Sequence, residues 1–169
     1  MELDPRVIVR PGLSPEVNAF RYRVLGAAFR VHSVLGPALK EKIYQRCLAH
    51  ALRNDGFHVE TERPLDVSFE GLELPRALRI DLVVDDALVI EVKAADVPLA
   101  VWNSQMLSYL WHSGLPLGYL INFHVTHLRQ GIRPFLNLPD MGPVDAAALK
   151  LAEEPTPSDS AGEPAPYPS

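Results

Sequence analysis

The chain has a single cysteine, Cys47. That excludes an internal disulfide framework and a cysteine-rich metal site, and argues against a disulfide-linked partner. It also has no apolar run long enough to span a bilayer. No charged segment followed by an apolar stretch opens the sequence, so a soluble cytoplasmic protein without a membrane partner is expected. Charge of one sign is scarce until the end. Residues 1–144 carry 15 Lys/Arg and 16 Asp/Glu; residues 145–169 add one Lys and five acids. Without a basic field, high-affinity non-specific binding of nucleic acid is not expected, although a local basic groove remains compatible.

What is present is enough chain, 169 residues, for one domain with a real core. Residues 1–13 read as a lead-in. Ser14-Pro15 suits a helix start, and Val17, Phe20, Val24, Ala28, Val31 and Leu35 recur at helical spacing. Gly36-Pro37 ends that helix. A second is predicted from about Ala38 to Asp55, stopped by Gly56. The period then changes. Strands are predicted over 57–69, 77–84, 87–93 and 117–123, with a helix over 97–113 before Gly114. Residues 127–138 are ambiguous and allow one more short strand. The order is α-α-β-β-β-α-β, a mixed α/β fold in one domain, residues 14–138. The segment 139–169 is rich in Pro, Ser and acids and reads as a disordered tail.

The stretch "RIDLVVDDALVIEVKA", residues 79–94, holds the chemistry. Alternation puts Leu78, Ile80, Leu82 and Val84 on one face of the first strand, and Arg79, Asp81 and Val83 on the other. In the second strand Leu88, Ile90 and Val92 share a face, opposite Val89, Glu91 and Lys93. A two-residue turn would mix these faces. A three-residue loop, 85–87, or a bulge would oppose Asp81 to Glu91 and keep them sorted. Opposed carboxylates repel unless a cation lies between them, and oxygen ligands of this kind suit Mg²⁺ or Mn²⁺. The Val92 carbonyl would add a third oxygen. Lys93 could orient water or stabilise charge at phosphorus. A solvent-facing hairpin with a cross-strand ion pair explains the same pattern equally well.

Glu41 adds weight to the metal reading. It heads the helical stripe Tyr44, Leu48, Ala51, Leu52, so its carboxylate is aimed inward, which is costly unless paired or metal-linked. A favourable place in the helix dipole explains the acid but not that alignment. Gln105 and Tyr109, four apart on the next helix, are candidates to hold water, phosphate or substrate, or are an ordinary polar flank. His124 and His127 lack a third ligand nearby, so zinc is not expected. Cys47, Trp102 and Trp111 read as packing residues.

Asp81 with Glu91-Val92-Lys93 resembles the signature of the PD-(D/E)XK nuclease superfamily. "AAFRVHSVLGPALKEKIYQRCLAHAL", "QMLSYL" and "GLPLGYLINF" extend the resemblance, over residues 14–135, to the GxxExxY family within it, small bacterial proteins. Ala38 stands where that motif has glycine; Glu41 and Tyr44 match. The resemblance implies a restriction-endonuclease-like mixed sheet and a metal-dependent nuclease acting on DNA or RNA. It casts Glu41, Asp81, Glu91, Lys93 and Gln105 as catalytic. Asp81, Glu91, the Val92 carbonyl and Glu41 would hold Mg²⁺ or Mn²⁺, and Tyr44 and Tyr109 would meet substrate. A homodimer is compatible with it. A catalytically silent binding or adaptor module on the same fold is the alternative.

Overall fold

The structure, a computed structural model, describes residues 15–96 and 100–137. The lead-in, the tail and residues 97–99 of the third predicted helix lie outside the described residues. The order is α1 (Pro15–Leu35), α2 (Glu41–Asn54), β1 (Val59–Phe69), β2 (Leu72–Val84), β3 (Leu88–Lys93), α3 (Ala100–Ser113), β4 (Leu117–Asn122), a 3₁₀ turn (Leu128–Gly131) and β5 (Ile132–Leu136). The predicted α-α-β-β-β-α-β order is present, and the ambiguous 127–138 supplies a fifth strand.

One five-stranded sheet runs β1-β2-β3-β4-β5. All neighbours are antiparallel except β3 and β4, which α3 connects in parallel. Both faces are covered. Val24, Ala27, Ala28 and Val31 of α1 and Tyr44, Leu48 and Leu52 of α2 pack on Leu82, Val84, Leu88, Ile90 and Val92. Trp102, Met106, Tyr109 and Leu110 of α3 pack on Ile80, Val83, Val89 and Leu120 from the other side. Two buried faces explain why β3 and β4 read as almost unbroken apolar runs. Among the described residues no helix is long and apolar enough to cross a membrane.

The local stops follow from backbone chemistry. Gly36 takes φ 67° and its N–H donates to the His32 carbonyl at 2.8 Å, closing α1. Gly56, at φ 88°, follows α2 in the same way. Glu70-Gly71, both left-handed (φ 48° and 89°), turn β1 into β2. That strand starts at Leu72 rather than at the predicted residue 77. Pro75 and a register shift mask its outer half, where Arg76 (φ 56°) donates its N–H to Asp66. Phe69 and Leu72 are exposed on this projecting hairpin and add nothing to the core.

Two features of the β2–β3 hairpin decide where its charges go. Val84 pairs with Leu88, so the loop is the three residues 85–87, as the face-sorting argument requires. Asp85 and Asp86 are both left-handed there (φ 48° and 53°). The predicted single apolar face of β2 needs correction, however. Leu82 and Val84 meet α1 and α2, but Ile80 and Leu78 pack on the α3 side. The cause lies at Glu62, whose φ is 58°. The β1–β2 ladder pairs Thr61 with Leu82 and Arg63 with Ile80 and skips Glu62 and Asp81 between them. The pleat changes sides at Asp81.

Candidate active site

β2 and β3 are bonded as a ladder only from Val84↔Leu88 to Leu82↔Ile90. Continuing that register by one step opposes Asp81 to Glu91, and there the strands part. Asp81 replaces the missing main-chain link, since its Oδ2 accepts the Val92 N–H at 2.9 Å. The N–H and C=O of one strand residue point to the same edge. The Val92 carbonyl therefore lies on the Asp81 edge of β3. The next carbonyl, Lys93, points the other way and accepts the Phe123 N–H at 2.8 Å.

Glu91 is almost fully buried. Its Oε1 accepts from Lys93 Nζ at 2.7 Å. Its Oε2 is buried with no hydrogen-bond partner among the described residues. Burial above all, then the charges of Asp81 and Glu41, push its carboxyl up to about 7, against the pull of Lys93. Lys93, largely buried, lies 5.9 Å from the centre of the Trp102 ring. Asp81 is also raised, by burial first, with the Val92 N–H and Lys93 opposing. The Lys93–Glu91 pair is thus buried and runs along β3 instead of facing solvent across the strands, with Asp81 half-buried beside it.

Glu41 opens α2 beside these groups. The residue is exposed as a whole, but its carboxyl end lies near Lys93, Asp81 and the Ala94 N–H. Partial burial of that end, then Asp81, raises its carboxyl, while Lys93 lowers it. Gln105 donates to the Tyr109 hydroxyl at 2.7 Å on α3, and burial together with the Glu91 charge drives the Tyr109 phenol to about 12. The fold therefore gathers Glu41, Asp81, Glu91, Lys93 and Tyr109 into one electrostatic neighbourhood, with Gln105 attached through Tyr109.

Tyr44 is elsewhere. It is fully buried, stacked on Phe123 with ring centres 4.6 Å apart. Its hydroxyl donates to the Gly36 carbonyl and accepts the Leu39 N–H at 3.0 Å. From that position it holds the loop between α1 and α2 and does not face a substrate, which corrects the expectation from the motif. It places Glu41 indirectly, through the loop that leads into α2.

Three residues escaped the sequence reading. Gln45, buried, donates from Nε2 to the Asp81 carbonyl at 3.1 Å, to Glu62 Oε1 at 3.2 Å and towards Asp81 Oδ1 at 3.4 Å. It stands four residues after Glu41, so helical spacing already put it on the same face. Glu62 lies across from Asp81 at the skipped ladder position. Asn122, buried, brackets Ala95 by accepting its N–H at 3.2 Å and donating to its carbonyl at 2.8 Å. This pins the chain just after Ala94, whose N–H lies near the Glu41 carboxyl.

The donors fit a hard divalent cation in kind: carboxylate and carbonyl oxygens, one of them buried and unpartnered. Among the described residues, no three His, Cys, Asp or Glu side chains are close enough together to form a ligand cluster.

No curated protein matches the chain. Among solved structures, the crystal structure of SSO0001 is similar at 24% identity and a TM-score of 0.40, covering 80% of this chain and 67% of that one. A family model described as the PD-(D/E)XK nuclease superfamily matches residues 18–135, spanning α1 to β5 with Asp81 on β2 and Glu91-Val92-Lys93 on β3. Covering well over half of the chain, that match shows that it belongs to the PD-(D/E)XK nuclease superfamily.

Proposed function

We propose that the protein is a metal-dependent phosphodiesterase that cleaves DNA or RNA with an activated water. The single observation that carries the reading is Glu91 Oε2, buried without a partner beside a second raised carboxylate and a lysine. A buried carboxylate oxygen left bare is costly unless something in the working protein satisfies it. Asp81, Glu91 and the Val92 carbonyl would hold Mg²⁺ or Mn²⁺, with Glu41 supporting it directly or through water. When bound, the metal would polarise a phosphoryl oxygen and make water acidic enough to attack at neutral pH.

The chain's own residues do the rest. Lys93, held by Glu91 and flanked by Trp102, presents a fixed positive charge to the phosphoryl group and orients the attacking water. Gln45 and the Val92 N–H fix the Asp81 carboxylate before substrate arrives. Gln105, on the α3 wall, positions water or a phosphate oxygen, and Tyr109, neutral at working pH, donates or accepts beside it. Within the superfamily, Glu41 and Tyr44 support placing the chain among the GxxExxY proteins, with Ala38 in place of the motif's glycine.

The test is incubation of the purified protein with single- and double-stranded DNA and RNA in Mn²⁺, against Lys93→Ala. Cleavage in the wild type that vanishes in the variant is expected; equal cleavage by both would mean a contaminating nuclease. A catalytically silent module is favoured by one observation, the absence of a ready-made three-side-chain cluster among the described residues. It predicts no cleavage and no rise in melting temperature with Mn²⁺.

A further inference from the structure

Five non-glycine residues are left-handed in the described structure. Glu70, Asp85 and Asp86 lie in turns, and Arg76 lies at the β1–β2 register shift. Glu62 is inside a strand, where nothing about chain reversal requires that conformation. The kink delivers its carboxylate to three donors. Oε1 meets Lys42 Nζ and Gln45 Nε2, and Oε2 meets Arg79 Nη1 at 2.9 Å. Lys42 follows Glu41 directly, and Arg79 precedes Asp81 by two residues. Both cationic side chains are more than half exposed, 61% and 69%, while Gln45 ties the same carboxylate to Asp81.

We propose that Lys42 and Arg79 form a binding site for a backbone phosphate neighbouring the one that is cleaved, and that Glu62 is the positioning carboxylate that holds them there. The inference rests on the nuclease reading and extends it to substrate binding. Arginine's fork and lysine's point charge both match phosphate oxygens. Exposed ion pairs contribute little, so exchanging a carboxylate for a phosphate at these cations costs little. Hydrogen bonds from Lys42, then Gln45, keep the Glu62 carboxyl below its usual range, so it stays ionised as a built-in counterion. This also explains how a chain with 15 cations and 16 acids over residues 1–144 handles a polyanion. Its cations near the site are stored on an internal carboxylate and released where the substrate lies, without a general basic surface.

The test is binding of fluorescent duplex and single-stranded oligonucleotides, read by anisotropy over a salt series in Ca²⁺, with substrate integrity checked on gels. Lys42→Ala and Arg79→Ala should each weaken binding and flatten the salt dependence, and the double variant should lose about 0.9 in log–log slope on duplex, the share of one phosphate. Glu62→Gln should bind several-fold tighter than wild type. Melting temperatures show that each variant is folded; if Glu62→Gln is not, the two cation variants decide alone. Wild-type slope and affinity in both folded cation variants would overturn the proposal and leave the nuclease reading standing. Absence of any salt-dependent binding by the wild type would remove both.

Discussion

Replacing Glu91 by glutamine measures how strained the site is. The carboxyl goes from an ordinary 4.5 to about 7 on folding, mainly through burial and then through Asp81. Its ionised form is therefore disfavoured in the folded protein. Below pH 4.5 the group is protonated in both states and costs nothing. As pH rises from 4.5 to 7, the unfolded chain releases the proton first and stability falls, levelling above 7. The full loss is about 3 kcal/mol, and most of it develops between pH 5 and pH 8. Glutamine has the same shape and no charge, and its carbonyl can still accept from Lys93. Its amide adds a donor where Oε2 found no partner, but that cost is the same at every pH. The difference in melting temperature between Glu91→Gln and wild type should therefore move in the variant's favour by roughly 5–10 °C from pH 5 to pH 8. Mn²⁺ should reverse the order at pH 8, stabilising wild type and leaving the variant nearly unmoved, because a ligating carboxylate must be ionised. Parallel pH–melting curves for the two proteins would mean that Glu91 is not held as described.

Two further substitutions test the supports of the site. Tyr44→Phe removes the two hydroxyl contacts to Gly36 and Leu39 and should cost about 1–2 kcal/mol in denaturant melts, with KM for any substrate unchanged; a raised KM at full stability would return Tyr44 to the substrate. Gly131→Ala would set a methyl 2.0 Å from the Asn122 carbonyl oxygen, a main-chain atom that cannot yield, and should cost about 3 kcal/mol or more. Gly26→Ala, with nothing within 4 Å in the middle of α1, is the matched control and should leave stability equal or higher.

The hairpin's chemistry was legible because strands alternate strictly. Asp81, Glu91 and Lys93 stood out against apolar neighbours, and the three-residue loop followed from keeping their faces sorted. Ile80 was misplaced because the pleat flips at Glu62, and a glutamate in a left-handed conformation leaves no mark in the sequence. The outer half of β2 was hidden for a related reason: Pro75 and a bulge break the alternation that identifies a strand. Gln45 and Tyr44 are different, since their signals were present. Helical spacing put Gln45 under Glu41, and Tyr44 sits in the apolar stripe that already pointed inward. The motif drew Tyr44 towards the substrate when the stripe said core.

In the proposed site, two carboxylates would suffice to hold a metal with Glu41 acting through water. Asp81 Oδ2 is committed to the Val92 N–H, which leaves Oδ1, met only by Gln45 Nε2 at 3.4 Å. Glu91 Oε1 is committed to Lys93, which leaves Oε2. Each acid thus has one oxygen not already bonded along β3. The Val92 carbonyl must lie on the same edge as its own N–H, the edge that Asp81 occupies. In the proposed site the donor set would be two single carboxylate oxygens and one carbonyl, drawn from adjacent positions on two strands. The same edge of Val92 that anchors Asp81 would supply the third oxygen. Glu41, whose carboxyl lies near the Ala94 N–H one step further along the same chain, would take an outer role. A site built this way needs no third inward carboxylate, whose charge would push the Glu91 carboxyl higher still.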